Sequence, residues 1–249
     1  MKKIAVIIPS RYGSSRFEGK PLARIQGKPM IQRVYEAARS AERVTDVVVA
    51  TDDPRIADAV AGFGGRAVMT GADNRSGTDR VAEAADRMGL ALDDIVVNVQ
   101  GDQPLLDPRC IEQVAAPLIA APEAGAEEFG MTTLAFQIVN RDEITNPKDV
   151  KVTFDVRGFA LYFSRSPIPF GRDAGTVFDT YKHLGVYAYT RRFLEIFRRL
   201  PEGRLEAIEK LEQLRALEHG HRILVVLTPH DSPEVDLPED IQRMEKLLR

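Results

Sequence analysis

The feature that most constrains this chain is a rhythm in its first half, where short aliphatic runs alternate with amphipathic stretches. The runs are 3–8 (KIAVII), 46–51 (DVVVAT), 66–70 (RAVMT) and 94–100 (DIVVNVQ). Helical patterns follow from Pro29 to Ala41, Pro54 to Phe63, Gly77 to Met88 and Pro108 to Ala121. Proline suits a first helical turn, where its missing N–H costs nothing. Unbroken Val/Ile runs, without in/out alternation, mark strands covered on both faces. The pattern predicts a doubly wound, mostly parallel α/β sheet. Ligands of such sheets lie outside the carboxyl ends of strands. The loops after the first, second and fourth runs are therefore the first places to look for a site.

The rhythm breaks in the second half. Residues 130–139 form a strand pattern, and 149–165 a hairpin turning at Arg157-Gly158. A strand at 183–189, helices at 191–199 and 204–219, the strand RILVVLT and a helix from Pro238 complete the chain, with 171–180 a mobile loop. One domain over 1–249, with an α+β elaboration around 140–200, is the simplest organisation.

The 34 basic and 37 acidic residues leave a net charge of −3. No global charge points to nucleic acid, so phosphate chemistry must come from local clusters. The single cysteine, Cys110, can form neither an internal disulfide nor a thiolate metal site. The run Ile4 to Ile8 is too short for a signal peptide, and no run reaches membrane-spanning length. A soluble cytoplasmic protein without membrane insertion is expected.

The loop after the first run holds Arg11, Arg16, Lys20, Arg24 and Lys28 against one acid, Glu18. Gly13 and Gly19 allow close backbone approach, and Ser14 and Ser15 add hydroxyls. This suits a polyphosphate; a solvated basic loop is the alternative. Neither the GxGxxG nor the P-loop spacing is present. Asp102 ends the fourth run in NVQGDQP, where a carboxylate can bind magnesium or simply cap a Gly-Asp turn. Asp236, in DSPEVDLPEDI, gains meaning as a ligand only if the fold brings it to Asp102; otherwise it leads into the last helix.

Taken together, IIPSRYGSSRFEGKPLARIQGKPMI, VATDD, MTGADNRSGTDR, VNVQGDQP, NPKDVKV, ALYFSRSPIPF, KHLGVYAY and RLEAIEKLEQLR resemble the 3-deoxy-manno-octulosonate (Kdo) cytidylyltransferase family nearly end to end. The resemblance implies a nucleotide-diphospho-sugar transferase-like fold and a homodimer. It implies CMP transfer from CTP to Kdo with Mg2+, in lipopolysaccharide synthesis. It assigns Arg11, Ser14, Arg16 and Lys20 to the triphosphate, and Asn74, Ser76 and Thr78 to cytidine. It assigns Gln100, Arg165, His183, Tyr187, Glu212 and Gln213 to the sugar acid, and Asp102 and Asp236 to the metal. Asp102, Lys20, Arg16 and Asp236 would carry the chemistry. Two departures stand out. Glu18 replaces a common proline, and should point away from the triphosphate or weaken its loop. Glu234-Val235-Asp236-Leu237 replaces Gly-x-Asp-Thr.

The 204–219 stretch offers an independent check. At ~100° per residue, Glu212 and Arg215 fall on the side of Leu205, Ile208, Leu211 and Leu214. A charge on an apolar face must be paired or bind something. Either the two form an internal pair, or Arg215 holds Glu212 for sugar hydroxyls. Arg165 would meet the sugar carboxylate, and His183 would donate a hydrogen bond. Arg165 as a surface arginine and His183 as a structural histidine are the alternatives.

The expected chemistry is in-line attack of the anomeric hydroxyl on the α-phosphorus, with release of pyrophosphate. Two other functions fit parts of the sequence. One is a cytidylyltransferase for another sugar acid, such as an 8-amino Kdo analogue. The other is a non-catalytic nucleotide-binding domain.

Overall fold

A computed structural model describes residues 2–13, 16–121, 129–173 and 175–248. The first run becomes β1 (Ile4–Ser10), followed by a loop with one 3-10 turn (Lys20–Leu22) and a small hairpin, β2 (Arg24–Ile25) and β3 (Lys28–Pro29). Then α1 (Met30–Arg39), β4 (Asp46–Thr51), α2 (Pro54–Gly62), β5 (Ala67–Met69), α3 (Gly77–Arg87), β6 (Ile95–Asn98) and α4 (Pro108–Ala120) alternate as the aliphatic runs predict. Side chains set several helix starts: Asp53, Ser76 and Asp107 each accept a backbone N–H from the first turn of α2, α3 and α4.

The second half holds β7 (Met131–Gln137), α5 (Asp142–Thr145), the hairpin β8 (Lys151–Phe154) and β9 (Ala160–Ser164), and the long β10 (Tyr181–Thr190). It closes with α6 (Arg191–Arg199), α7 (Arg204–Glu209), α8 (Gln213–Glu218), β11 (Ile223–Leu227) and α9 (Asp240–Leu247).

The main sheet runs β11–β7–β10–β6–β1–β4–β5, with β8 and β9 added at the end of β10. Strands β6, β1, β4 and β5 are parallel, as are β7 and β11. Between these groups β10 runs antiparallel to both β6 and β7. Ile4 to Ile8 of β1 are all buried, as two-sided cover requires. From β1 the chain steps outward to β4 and β5, then returns to β6 on the other side of β1. This reversal sets the loops leaving β1 and β6 side by side at one carboxyl edge.

The expected helix over 204–219 is two helices. Lys210 adopts a left-handed φ of 55° and ends α7, and the chain restarts at α8. The cause is a buried pair. Arg215 Nε donates to Glu206 Oε2 at 2.8 Å, both side chains being nearly inaccessible. The arrangement in which Arg215 pairs with or holds Glu212 is therefore wrong. Arg215 is occupied by Glu206 and lies over the Phe197 ring, while Glu212 is turned elsewhere.

The hairpin β2–β3 and α9 share a small core of Ile25, Met30, Val235 and Met244, all fully buried. It docks the segment before α9 onto the first loop. Truncating Met244 to alanine should cost about 2–5 kcal/mol, by lost burial and the cavity left behind. A lower urea midpoint with unchanged slope is the expected measurement.

Candidate active site

The loops that leave β1 and β6 meet through one ion pair. Lys20 Nζ lies 2.6 Å from Asp102 Oδ2. The same ammonium donates to the Val235 carbonyl at 2.9 Å, and the Val235 N–H donates to the Asp102 carbonyl at 3.0 Å. Three segments far apart in sequence are thus tied at one point. Val235 is buried, and its neighbours Glu234 and Asp236 take the other side of the segment. Asp236 accepts an ion pair from Arg16 at 3.2 Å. Asp102 and Asp236 therefore line one cleft of about 750 Å³, together with Arg16, Arg165, Lys182 and His183.

Glu234 lines the cleft floor and is exposed to the cavity. The three carboxylates of Asp102, Glu234 and Asp236 outnumber the two cations paired with them, Lys20 and Arg16. Lys182 is buried at the side of the cleft, paired with Glu143 at 2.7 Å and Asp231 at 3.0 Å. Burial opposes its charge, but these partners hold its ammonium above the usual range.

A smaller cavity of about 280 Å³ adjoins the cleft and shares Asp102, His183, Gly185 and Glu234 with it. Of the expected sugar-acid residues, Gln100, His183, Tyr187, Glu212 and Gln213 all line it, while Arg165 lines the larger cleft. Glu212 accepts the Thr78 hydroxyl at 2.7 Å. Gln100 donates to Asn98 and to the Gly185 carbonyl, each at 3.2 Å. The Arg165 guanidinium donates to the carbonyls of Glu209 at 2.8 Å and Pro147 at 2.9 Å, which fix it without neutralising its charge.

His183 differs from expectation in its hydrogen bonding. The Thr133 hydroxyl donates to the Val186 carbonyl at 2.9 Å and also contacts His183 Nε2 at 2.9 Å. A hydroxyl has one proton, so Nε2 carries the ring hydrogen and donates it to Thr133. Burial pushes His183 down to about 3, so the ring is neutral. Its donor is used within the protein, which leaves Nδ1 as an acceptor.

The expected nucleotide residues are dispersed. Arg11 donates to the Asn74 carbonyl at 3.2 Å, joining the first loop to the one before α3. Asn74 donates to Gly71 and Glu83 and lines a separate acidic cavity. Ser76 caps α3, and Thr78 faces the smaller cavity. Ser14 lies outside the described residues. Glu18 is exposed and adds, after Asp53, to the field that holds up the charge of Arg55. Arg55 in turn stacks on the Tyr12 ring at 3.3 Å.

Sequence reasoning missed Glu234, Gln103 and Lys182. The signal for Glu234 was available: in extended DSPEVD, Glu234 and Asp236 share a side. Among the described residues no cluster of three or more His, Cys, Asp or Glu is gathered as a metal centre.

A family model described as Cytidylyltransferase matches residues 5–223. The 3-deoxy-manno-octulosonate cytidylyltransferase of Desulfosudis oleivorans is 66% identical over 99% of this chain and 97% of its own. The chain belongs to the 3-deoxy-manno-octulosonate cytidylyltransferase family. A relative from Shewanella piezotolerans, 60% identical over 98% of each chain, is an 8-amino-3,8-dideoxy-manno-octulosonate cytidylyltransferase. The solved structure of CMP:2-keto-3-deoxy-manno-octonic acid synthetase complexed with CTP superposes with a TM-score of 0.91. It is 42% identical, over 99% of this chain and 98% of that one.

In this cytidylyltransferase His183 couples the site to acid stability. Its folded value of about 3 lies below the usual 6.5, so between these the unfolded chain binds a proton that the folded one does not. The contribution is complete above about pH 6.5 and is lost as pH falls toward 3. Urea midpoints between pH 7.5 and 4 should fall less steeply for His183→Gln than for the parent chain.

Proposed function

We infer that the chain transfers CMP from CTP to the anomeric hydroxyl of a 3-deoxy-octulosonate sugar acid and releases pyrophosphate. The observation that carries this reading is the Lys20–Asp102–Val235 junction. It sets a cationic loop against Asp102 and Asp236 where the strand order reverses, beside a cavity lined by polar side chains. The named activities of the relatives support the same reaction. Kdo is the substrate class that the resemblance favours, and its activated form would serve lipopolysaccharide synthesis in the cytoplasm.

Arg11, Arg16 and Lys20 would bind the triphosphate, Arg16 and Lys20 turning from their carboxylates toward its oxygens. The Arg165 guanidinium, fixed by backbone carbonyls, would receive the sugar carboxylate. His183 Nδ1 and Glu212 would accept sugar hydroxyls, and Gln100 would orient the ring. The contribution of these residues is position and charge rather than covalent chemistry.

Asp102 and Asp236 on one cleft fit Mg2+, a hard cation that takes one or two carboxylates plus substrate phosphates. Asp102 and Asp236 would hold it, and when bound it would neutralise phosphate charge at the reacting centre. A homodimer is supported by exposed Leu161, Phe170, Val177 and Phe178 near the elaborated half of the sheet.

Asp102→Asn should lower pyrophosphate release by roughly a hundredfold or more while the melting temperature changes little. Near-normal turnover would remove Asp102 from the chemistry. Arg165→Ala should raise the KM for the sugar acid by roughly tenfold or more and leave that for CTP within about threefold. Equal changes in both would take Arg165 out of the sugar site.

A further inference from the structure

Glu234 has no part in the mechanism above, yet it lies where the cleft and the smaller cavity join and lines both. The other acids on this floor have partners: Asp102 has Lys20, Asp236 has Arg16, and Glu212 has the Thr78 hydroxyl. Glu234 Oε1 is met by a neutral amide, Gln103 Nε2, at 3.3 Å. Gln103 is fully buried, and its Nε2 also donates to the Leu184 carbonyl, which fixes the amide with its donor end toward Glu234.

The surroundings keep this carboxylate available to a ligand. Gly185 lies beside it at the bulge in β10, with a φ of 65°. The positive φ favours glycine, and a Cβ there would come into contact with Glu234 Oε1 at 3.6 Å and Gln100 Cγ at 3.7 Å. Among the described residues, Lys210 is the one cation lining the smaller cavity, against Asp102, Glu212 and Glu234. A sugar acid already brings a carboxylate. A further carboxylate beside it is costly unless the ligand supplies the opposite charge.

On the reading that this cleft activates an octulosonate-type sugar acid, we propose that Glu234 is the specificity residue for an ammonium group on that substrate. The chain then favours an amino-bearing sugar acid over its hydroxyl counterpart. A protonated amine at Glu234 forms a charge-assisted hydrogen bond, whereas a hydroxyl there forms a weaker one. A site built around a charged partner discriminates by leaving that partner unpaired with the wrong substrate.

The test measures pyrophosphate release with CTP and Mg2+, using Kdo and 8-amino-3,8-dideoxy-manno-octulosonate, for the parent chain and Glu234→Gln. The glutamine keeps the shape and the contact with Gln103 but removes the charge. The parent chain should favour the amino acid in kcat/KM by roughly 10- to 100-fold. Glu234→Gln should lose most of that preference while its kcat/KM for Kdo and its Mg2+ requirement stay within about threefold. Equal losses with both acids, or a changed Mg2+ requirement, would overturn the assignment, as would equal use of both acids by the parent. If the parent releases pyrophosphate with neither acid, the functional reading itself is wrong and the proposal falls with it.

Discussion

The site depends on one short contact, the ammonium of Lys20 against the carboxylate of Asp102, completed by the carbonyl of Val235. Each partner comes from a different region of the chain. Lys20 is delivered by the loop after the central strand, Asp102 by the loop after its parallel neighbour, and Val235 by the segment before the last helix. Without that contact, the sheet would still form, because its core is the aliphatic packing of β1, β4 and β6. The polar groups of the cleft would then have no common frame.

Much of this was legible from residue order. The continuous Val/Ile runs required buried strands, and the prolines located the helix starts. The antiparallel course of β10 was not legible, because an apolar run carries no sign of its direction. The break at Lys210 was hidden for a different reason. The residues around it are ordinary helix formers, and the local conformation answers to a tertiary demand, the pairing of Glu206 with Arg215. A period of 3.6 residues cannot reveal a partner that lies on the preceding helix.

The candidate site was legible to a similar depth. The residues expected at the sugar, from the loop after β6, from β10 and from the α7–α8 junction, line one cavity, with Arg165 at the neighbouring cleft. The roles of individual groups depended on hydrogen-bond arithmetic that a sequence does not contain. The tautomer of His183 follows from the single proton of Thr133. The availability of Glu212 follows from Arg215 being engaged by Glu206. Glu234 was legible only as a departure from the family's motif, because it stands in an acidic, proline-bounded stretch that looks like an approach to a helix.

The docking of α9 onto the first loop has a consequence for when the protein becomes competent. The sheet strands that flank the reversal are all present early in synthesis, and so are Lys20 and Asp102. Val235 and Asp236 reach them only after the intervening strands have been made and α9 has packed on Ile25 and Met30. A nascent chain thus builds its central strands and cationic loop well before it can bring Asp236 to Asp102, and the order of translation itself delays the assembled cleft until the sheet is finished.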